Sequence, residues 1–158
     1  MKGYFRGIGI VEVLWKEVVS LLNCCLASAI TYNDAIHNFW VGRETGTVAL
    51  EAKLIQQLTV IREAFLFEVF LDLQKAYYYL DWEMSLELLV VYGVGIRTLR
   101  LLQTYWERLT MVAKASRYFG RPFKGYRGVT QGGPMSPKIF NVVRDAIIRQ
   151  RMSMVMPT

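Results

Sequence analysis

Histidine is almost missing from this 158-residue chain, with His37 the single one. Clusters of histidines that hold zinc or other metals are therefore excluded, and a lone histidine is more often structural than catalytic. Cysteine is as scarce. Cys24 and Cys25 are adjacent, an arrangement that rarely forms a mutual disulfide, and no CxxC or Cys/His spacing exists. A secreted, disulfide-held scaffold is excluded with it. No run reaches the ~20 apolar residues that a spanning helix needs. The most apolar stretch, Val18–Ile30, is short and carries Ser20, Asn23 and Ser28, so it reads as a buried helix. Lys2, Gly3, Arg6 and Gly7 break up the first ten residues, and no signal peptide is read there. An intracellular chain without a membrane span is the expectation. An Asp-Asp pair is also absent throughout.

What is present is apolar and basic. The chain is 53% hydrophobic and 13% aromatic, enough for one domain with a real core and too much for disorder. Nineteen basic against thirteen acidic residues give +6. That charge is local. Residues 97–127 hold Arg97, Arg100, Arg108, Lys114, Arg117, Arg121, Lys124 and Arg127 against Glu107 alone, +7, while the rest of the chain carries −1. Such a window favours an anionic partner, with a merely solvated face as the plain alternative.

Periodicity organises the chain. Leu14, Val18, Leu21, Cys25 and Ala29 recur at helical spacing within 11–29, and Leu50, Leu54, Leu58, Ile61 and Phe65 within and just after 46–64. The stretch "FLFEVFLDL" (65–73) is apolar and β-prone, which predicts a central strand. Asp81 caps a helix over 82–92, with Trp82, Leu86, Leu89 and Val90 inward and Gly93 past its end. A helix over 96–109 carries Leu99, Leu102, Trp106 and Leu109. Residues 110–119 and 123–129 read as two strands turning at "GRP". Ser136 as cap and Pro137 at the first helical position predict a helix from there to about Met152. The class is α+β.

Two stretches carry chemistry. In "FLDLQKAYYYLDW" (70–82) a buried strand would end in Asp72, and a carboxylate there needs compensation. A divalent cation is one compensation, since Mg²⁺ takes one or two carboxylates plus substrate phosphates; an aspartate capping the turn is the other. Tyr77, Tyr78 and Tyr79 either pack that turn or set a ring beside a nucleotide sugar. In "GVTQGGPMSPKIFN" (128–141), Gln131 offers a donor and an acceptor, and Gly132 and Gly133 let backbone approach a ligand. A loop ending in a good helix cap explains the same residues without a ligand.

Taken together, "FLDLQKAY" followed some fifty residues on by "TQGGPMSPKIFN" resembles the reverse-transcriptase family, in particular its non-LTR retroelement and group II intron branch. "RGIGIVEVLWKEVVSLLN" is similar to that family's fingers segment, and "HNFWVGRETGTVALEAKLIQQL" to the segment before the first catalytic motif. The likeness runs from about Arg6 to Gln150. It implies an α+β fold, the incomplete fingers–palm of a polymerase with helices packed on a small central sheet. Residues 1–64 would be fingers-like and 65–158 a partial palm. It also implies an RNA-directed DNA polymerase lineage working with two Mg²⁺ (or Mn²⁺) ions on template-primer and dNTP. Asp72 would be the first metal-binding catalytic aspartate, with the backbone carbonyl of Leu73 beside it. Tyr77 would meet the sugar of the incoming nucleotide, Gln131 and Gly132 would shape its pocket, and Arg6 would bind its triphosphate. Ser136, Pro137, Phe140 and Asn141 match the motif and would shape the helix.

The sequence departs from the family's pattern. Tyr78 and Gly133 stand where relatives often have aspartate, or in the second case cysteine. Asn38 and Trp40 replace a common glycine and arginine. The family's next motif, a hairpin with paired aspartates, has no counterpart here. Asp145, the last aspartate, falls inside a helix. The chain thus reads as part of a retroelement polymerase, catalytically incomplete when isolated, or as a non-catalytic nucleic-acid-binding or interaction remnant. Without the hairpin, the strand ending in Asp72 would have an exposed edge and self-associate.

Overall fold

Apolar residues at helical spacing mark most of the helices, and one helix also has a side-chain cap. The computed structural model describes residues 9–39 and 42–155, without the Val155 side chain; Arg6 and Trp40 lie outside that range. In order come α1 (Val13–Ala29), α2 (Thr45–Ile61), the short α3 (Ala76–Tyr79), α4 (Trp82–Val91) and α5 (Ile96–Arg108). Four two-residue strands follow, β1 (Thr110–Met111), β2 (Lys114–Ala115), β3 (Tyr118–Phe119) and β4 (Phe123–Lys124), and then α6 (Ser136–Val155). The class is α+β, as expected.

α4 begins where Asp81 accepts the Met84 N–H at 2.8 Å. It ends at Gly93, whose φ of +80° suits glycine, and Val94 N–H returns to the Leu89 carbonyl at 3.0 Å. α5 turns Leu99, Leu102 and Trp106 inward, as their spacing predicts. These meet Leu89 of α4, Ile139 and Val142 of α6, and Val19, Leu22 and Leu26 of α1 in one core. Each such side chain taken out of water stabilises by about 1.5–3 kcal/mol. Trp82 and Trp106 stack with centroids 5.6 Å apart and planes at 9°.

One carboxylate sits in this core. Asp145 on α6 is fully buried. It accepts Asn33 N–H at 2.8 Å, Arg149 Nε–H at 2.8 Å and the Tyr92 hydroxyl. Burial alone would raise its pKa. The bonds from Tyr92, Arg149 and Asn33 outweigh that, and the carboxyl is held below its ordinary value. Three parts of the chain that are distant in sequence are thereby tied at one point: the loop after α1, the end of α4, and α6.

Several expectations are corrected. Residues 65–73 form no strand. They follow α2 without regular secondary structure, with no backbone hydrogen bond among the described residues. Phe65, Phe67, Phe70 and Leu71 are each close to 90% exposed. A strand exists by pairing, and no neighbouring edge is offered here. The sheet expected at the centre is instead a pair of ribbons. β1 pairs with β4 and β2 with β3, both antiparallel, in one interrupted hairpin. Its turn lies at Ser116–Arg117, where Ser116 takes φ +55°, while "GRP" falls on the returning arm. α1 buries Val19, Leu22 and Leu26, so Leu14, Val18, Leu21 and Cys25 face out. α2 buries none of its residues; His37 Nε2 lies 3.7 Å from Glu51, and Gln56 donates to Glu68 at 2.8 and 3.0 Å. Val90, expected inward, is exposed. Ser136 does not cap α6; its hydroxyl donates back to the Thr130 carbonyl at 2.7 Å.

Candidate functional site

The two chemically marked stretches meet in space. Gly128 N–H donates to the Leu80 carbonyl at 2.7 Å, and Val129 N–H to the Tyr77 carbonyl at 2.8 Å. Trp82 Nε1–H donates to the Gly128 carbonyl at 2.6 Å. Only glycine fits at this crossing. Gly128 has φ +85°, and a Cβ there would lie 2.8 Å from the Tyr78 carbonyl oxygen and 3.0 Å from that of Tyr77. Beyond the crossing, the Tyr77 ring stacks on Phe140 of α6, centroids 5.2 Å apart at 26°. Burial pushes the Tyr77 phenol up, against the pull of nearby Arg144.

The loop from 128 to 136 then folds on itself. Gly9 N–H donates to the Gln131 carbonyl at 2.7 Å, joining the start of the described chain to this loop. Gln131 is half-buried, and Gly132 is exposed at φ +99°. Gly133 is buried where a Cβ would lie 2.6 Å from Thr130 Oγ1 and 2.9 Å from Ser136 Oγ. Asn141 is buried and donates to the Asn38 carbonyl at 2.6 Å. Tyr77 and Phe140 are thus joined ring to ring, and Gln131 and Gly132 lie in the loop that leads from the crossing into α6.

Asp72 and Leu73 are not gathered with them. Both are exposed on the unpaired segment, and no hydrogen bond or ion pair joins Asp72 to the loop. Among the described residues no group of three or more His, Cys, Asp or Glu could hold a metal ion. The donor set around Asp72 therefore does not fit a Mg²⁺ site, which would need further oxygen ligands converging on it. Arg6 lies outside the described residues.

The eight basic residues of the 97–127 window are all exposed. Arg97, Arg100 and Arg108 sit on α5, and the other five on or beside the hairpin. Lys114 Nζ stands 5.3 Å over the Phe119 ring, and the Arg127 guanidinium 4.9 Å over Tyr79. Gly128 and Asp145 were not singled out from the sequence as site or anchor residues. Arg149 four residues after Asp145, on an otherwise apolar face, was the signal available for the latter.

A family model described as reverse transcriptase (RNA-dependent DNA polymerase) matches residues 2–155. The chain belongs to the reverse transcriptase family. No curated protein matches it. Reverse transcriptases generally use Mg²⁺, and the family implies a nucleic-acid template and dNTP as partners. Among the described residues no helix is long and apolar enough to cross a membrane.

Proposed function

We propose that this chain is a partial reverse-transcriptase domain of the non-LTR retroelement and group II intron branch. In this reading it binds nucleic acid and does not transfer nucleotides on its own. The branch rests on "FLDLQKAY" and "TQGGPMSPKIFN", which Gly128, Val129 and Trp82 hold together. Residues 1–64 stand for the fingers and 65–158 for part of the palm. Tyr77, Gln131 and Gly132 are the nucleotide-pocket positions and Arg6 the triphosphate position. Asp72, with the Leu73 carbonyl, stands at the family's catalytic and metal position, without the further ligands that an ion there needs.

The observation that carries the binding reading is the charge of the 97–127 window, +7 with every cation exposed. Phosphates neutralised there release counterions, so log affinity falls linearly with log salt, by roughly 0.7–0.9 per phosphate. Fluorescence anisotropy with labelled oligonucleotides across a salt series reads this slope. Salt-independent binding, or none at low salt, refutes the binding reading. The non-catalytic reading rests on Asp72 belonging to no group of three or more metal-holding side chains among the described residues. Two-metal phosphoryl transfer clamps both reacting oxygens and needs converging ligands. Primer extension with Mg²⁺ or Mn²⁺ should give no product. Extension that disappears in Asp72→Ala would overturn this part.

A further inference from the structure

The hairpin that carries the densest charge also displays aromatic rings in water. Tyr118 on β3 is 82% exposed and Tyr126 is 89% exposed. Two nearby rings have one face covered by a cation, Phe119 by Lys114 and Tyr79 by Arg127. Tyr118 and Tyr126 make no ring contact among the described residues, so their faces are open. Arg117 and Arg121 flank the first, and Lys124 and Arg127 the second.

Charge separates this surface from the exposed apolar segment 65–73. Residues 65–73 are apolar with two carboxylates, Glu68 and Asp72, and hold no cation. The hairpin has cations between its rings and no carboxylate from Arg108 to Arg127. A protein partner suits the first composition; a polyanion with flat apolar faces suits the second. In a duplex those faces are hidden by stacking between the bases themselves. In a single strand they are open, and an aromatic ring can take the place of the neighbouring base. The cations would follow the phosphates of either form, but the rings gain only from unpaired bases.

We propose that Tyr118 and Tyr126 each offer a stacking platform for unpaired bases, by which the hairpin selects single-stranded nucleic acid over duplex. The inference rests on the nucleic-acid-binding reading above and names the form of nucleic acid it takes. No base-edge reading is built in, since every base has a π-face, so the preference is for strandedness and not for sequence.

The test compares a labelled deoxythymidine oligonucleotide with a duplex of the same length, using the full 158-residue chain and the variants Tyr118→Leu, Tyr126→Leu, Tyr118→Phe and Tyr126→Phe. Both side chains project into solvent, and circular dichroism confirms that the variants fold alike. Each leucine variant should weaken single-strand binding about tenfold, leave duplex binding and the salt slope unchanged, and be restored by phenylalanine. Unchanged single-strand affinity, or equal weakening on both substrates, overturns the platform while the salt-dependent binding of the parent chain still stands. A wild-type chain that binds neither substrate overturns both readings. If the leucine variants instead change only the chain's sedimentation, the rings serve a protein contact and the platform is wrong.

Discussion

Replacing Gly128 by alanine tests whether the two motifs are held together as described. Two costs add. Alanine in the left-handed region at φ +85° costs roughly 1–2 kcal/mol. The new methyl would also lie 2.8 Å from the Tyr78 carbonyl oxygen, which is backbone and cannot swing aside as a side chain would. Relief requires the loop to part from α3, and overpacking of this kind costs about 1–3 kcal/mol. Parting also stretches the Gly128–Leu80 and Val129–Tyr77 bonds, whose net worth is roughly 1 kcal/mol each. Strain and collision together give an expected loss of about 2–5 kcal/mol, and more where the two bonds are given up, a large share of the 5–15 kcal/mol that holds a typical domain together. Gly93→Ala is the internal reference. Gly93 has φ +80° with nothing within 4 Å of an added Cβ, so it carries the strain without the collision, about 1–2 kcal/mol. Urea unfolding followed by tryptophan fluorescence compares the two, and Trp82, bonded to the Gly128 carbonyl, reports directly. Equal shifts in midpoint for Gly128→Ala and Gly93→Ala would refute the crossing of the two motifs.

Asp145→Ala removes the buried acceptor from half-buried Asn33 and Tyr92 and exposed Arg149, donors that water can partly reach, and should cost about 1–3 kcal/mol by the same unfolding assay; a loss below ~0.5 kcal/mol would show the network to be incidental. Its carboxyl is depressed in the folded state, so its contribution is complete above the ordinary carboxylate range and is lost as pH falls through the depressed folded value. Acid unfolding of Asp145→Asn should therefore show a shallower loss of stability below pH ~4 than the parent, and identical profiles would contradict the linkage. At the other extreme, burial and then the Asp145 bond push the Tyr92 phenol up to about 12. That neutral-phenol contribution is complete below the ordinary tyrosine value and is lost as pH rises through the folded one, so Tyr92→Phe should flatten the alkaline limb of the stability profile. We also propose that the apolar 65–73 segment drives self-association; Phe67→Glu should lower the apparent size in light scattering, and an unchanged size distribution would remove the segment as the cause.

The parts of the fold legible in the sequence are those whose signals are local and agree. Asp81 before α4, Gly93 after it, and the Leu99–Leu102–Trp106 stripe of α5 each determine their element within a few residues. α1 was legible as a helix but not in its facing. Both Val18–Leu21–Cys25 and Val19–Leu22–Leu26 are apolar at helical spacing, and α5 and α6 decide which is buried. Residues 65–73 misled for a related reason. Composition gives a segment's affinity for a sheet, while the strand itself needs a neighbouring edge. The hairpin turn went to Ser116–Arg117 although "GRP" looks more like one, because the register of Lys114 with Phe119 closes a tighter ribbon. The site was legible as motifs, from the spacing of "FLDLQKAY" and "TQGGPMSPKIFN". That Gly128 is their point of contact depends on a close backbone approach, which no one-dimensional pattern records.

The unpaired state of 65–73 sets the terms on which Asp72 can act. Apart from the Gln56–Glu68 bonds, no hydrogen bond among the described residues holds this segment, so ordering its nine residues costs about 1–2 kcal/mol each, on the order of 10 kcal/mol in all. Any partner that supplies an edge must offset that cost before it shows net affinity. Once it has, Asp72 is pre-organised at no further entropic cost. The position of this carboxylate is in that sense a property of the partner's edge, carried to Asp72 through the backbone between them.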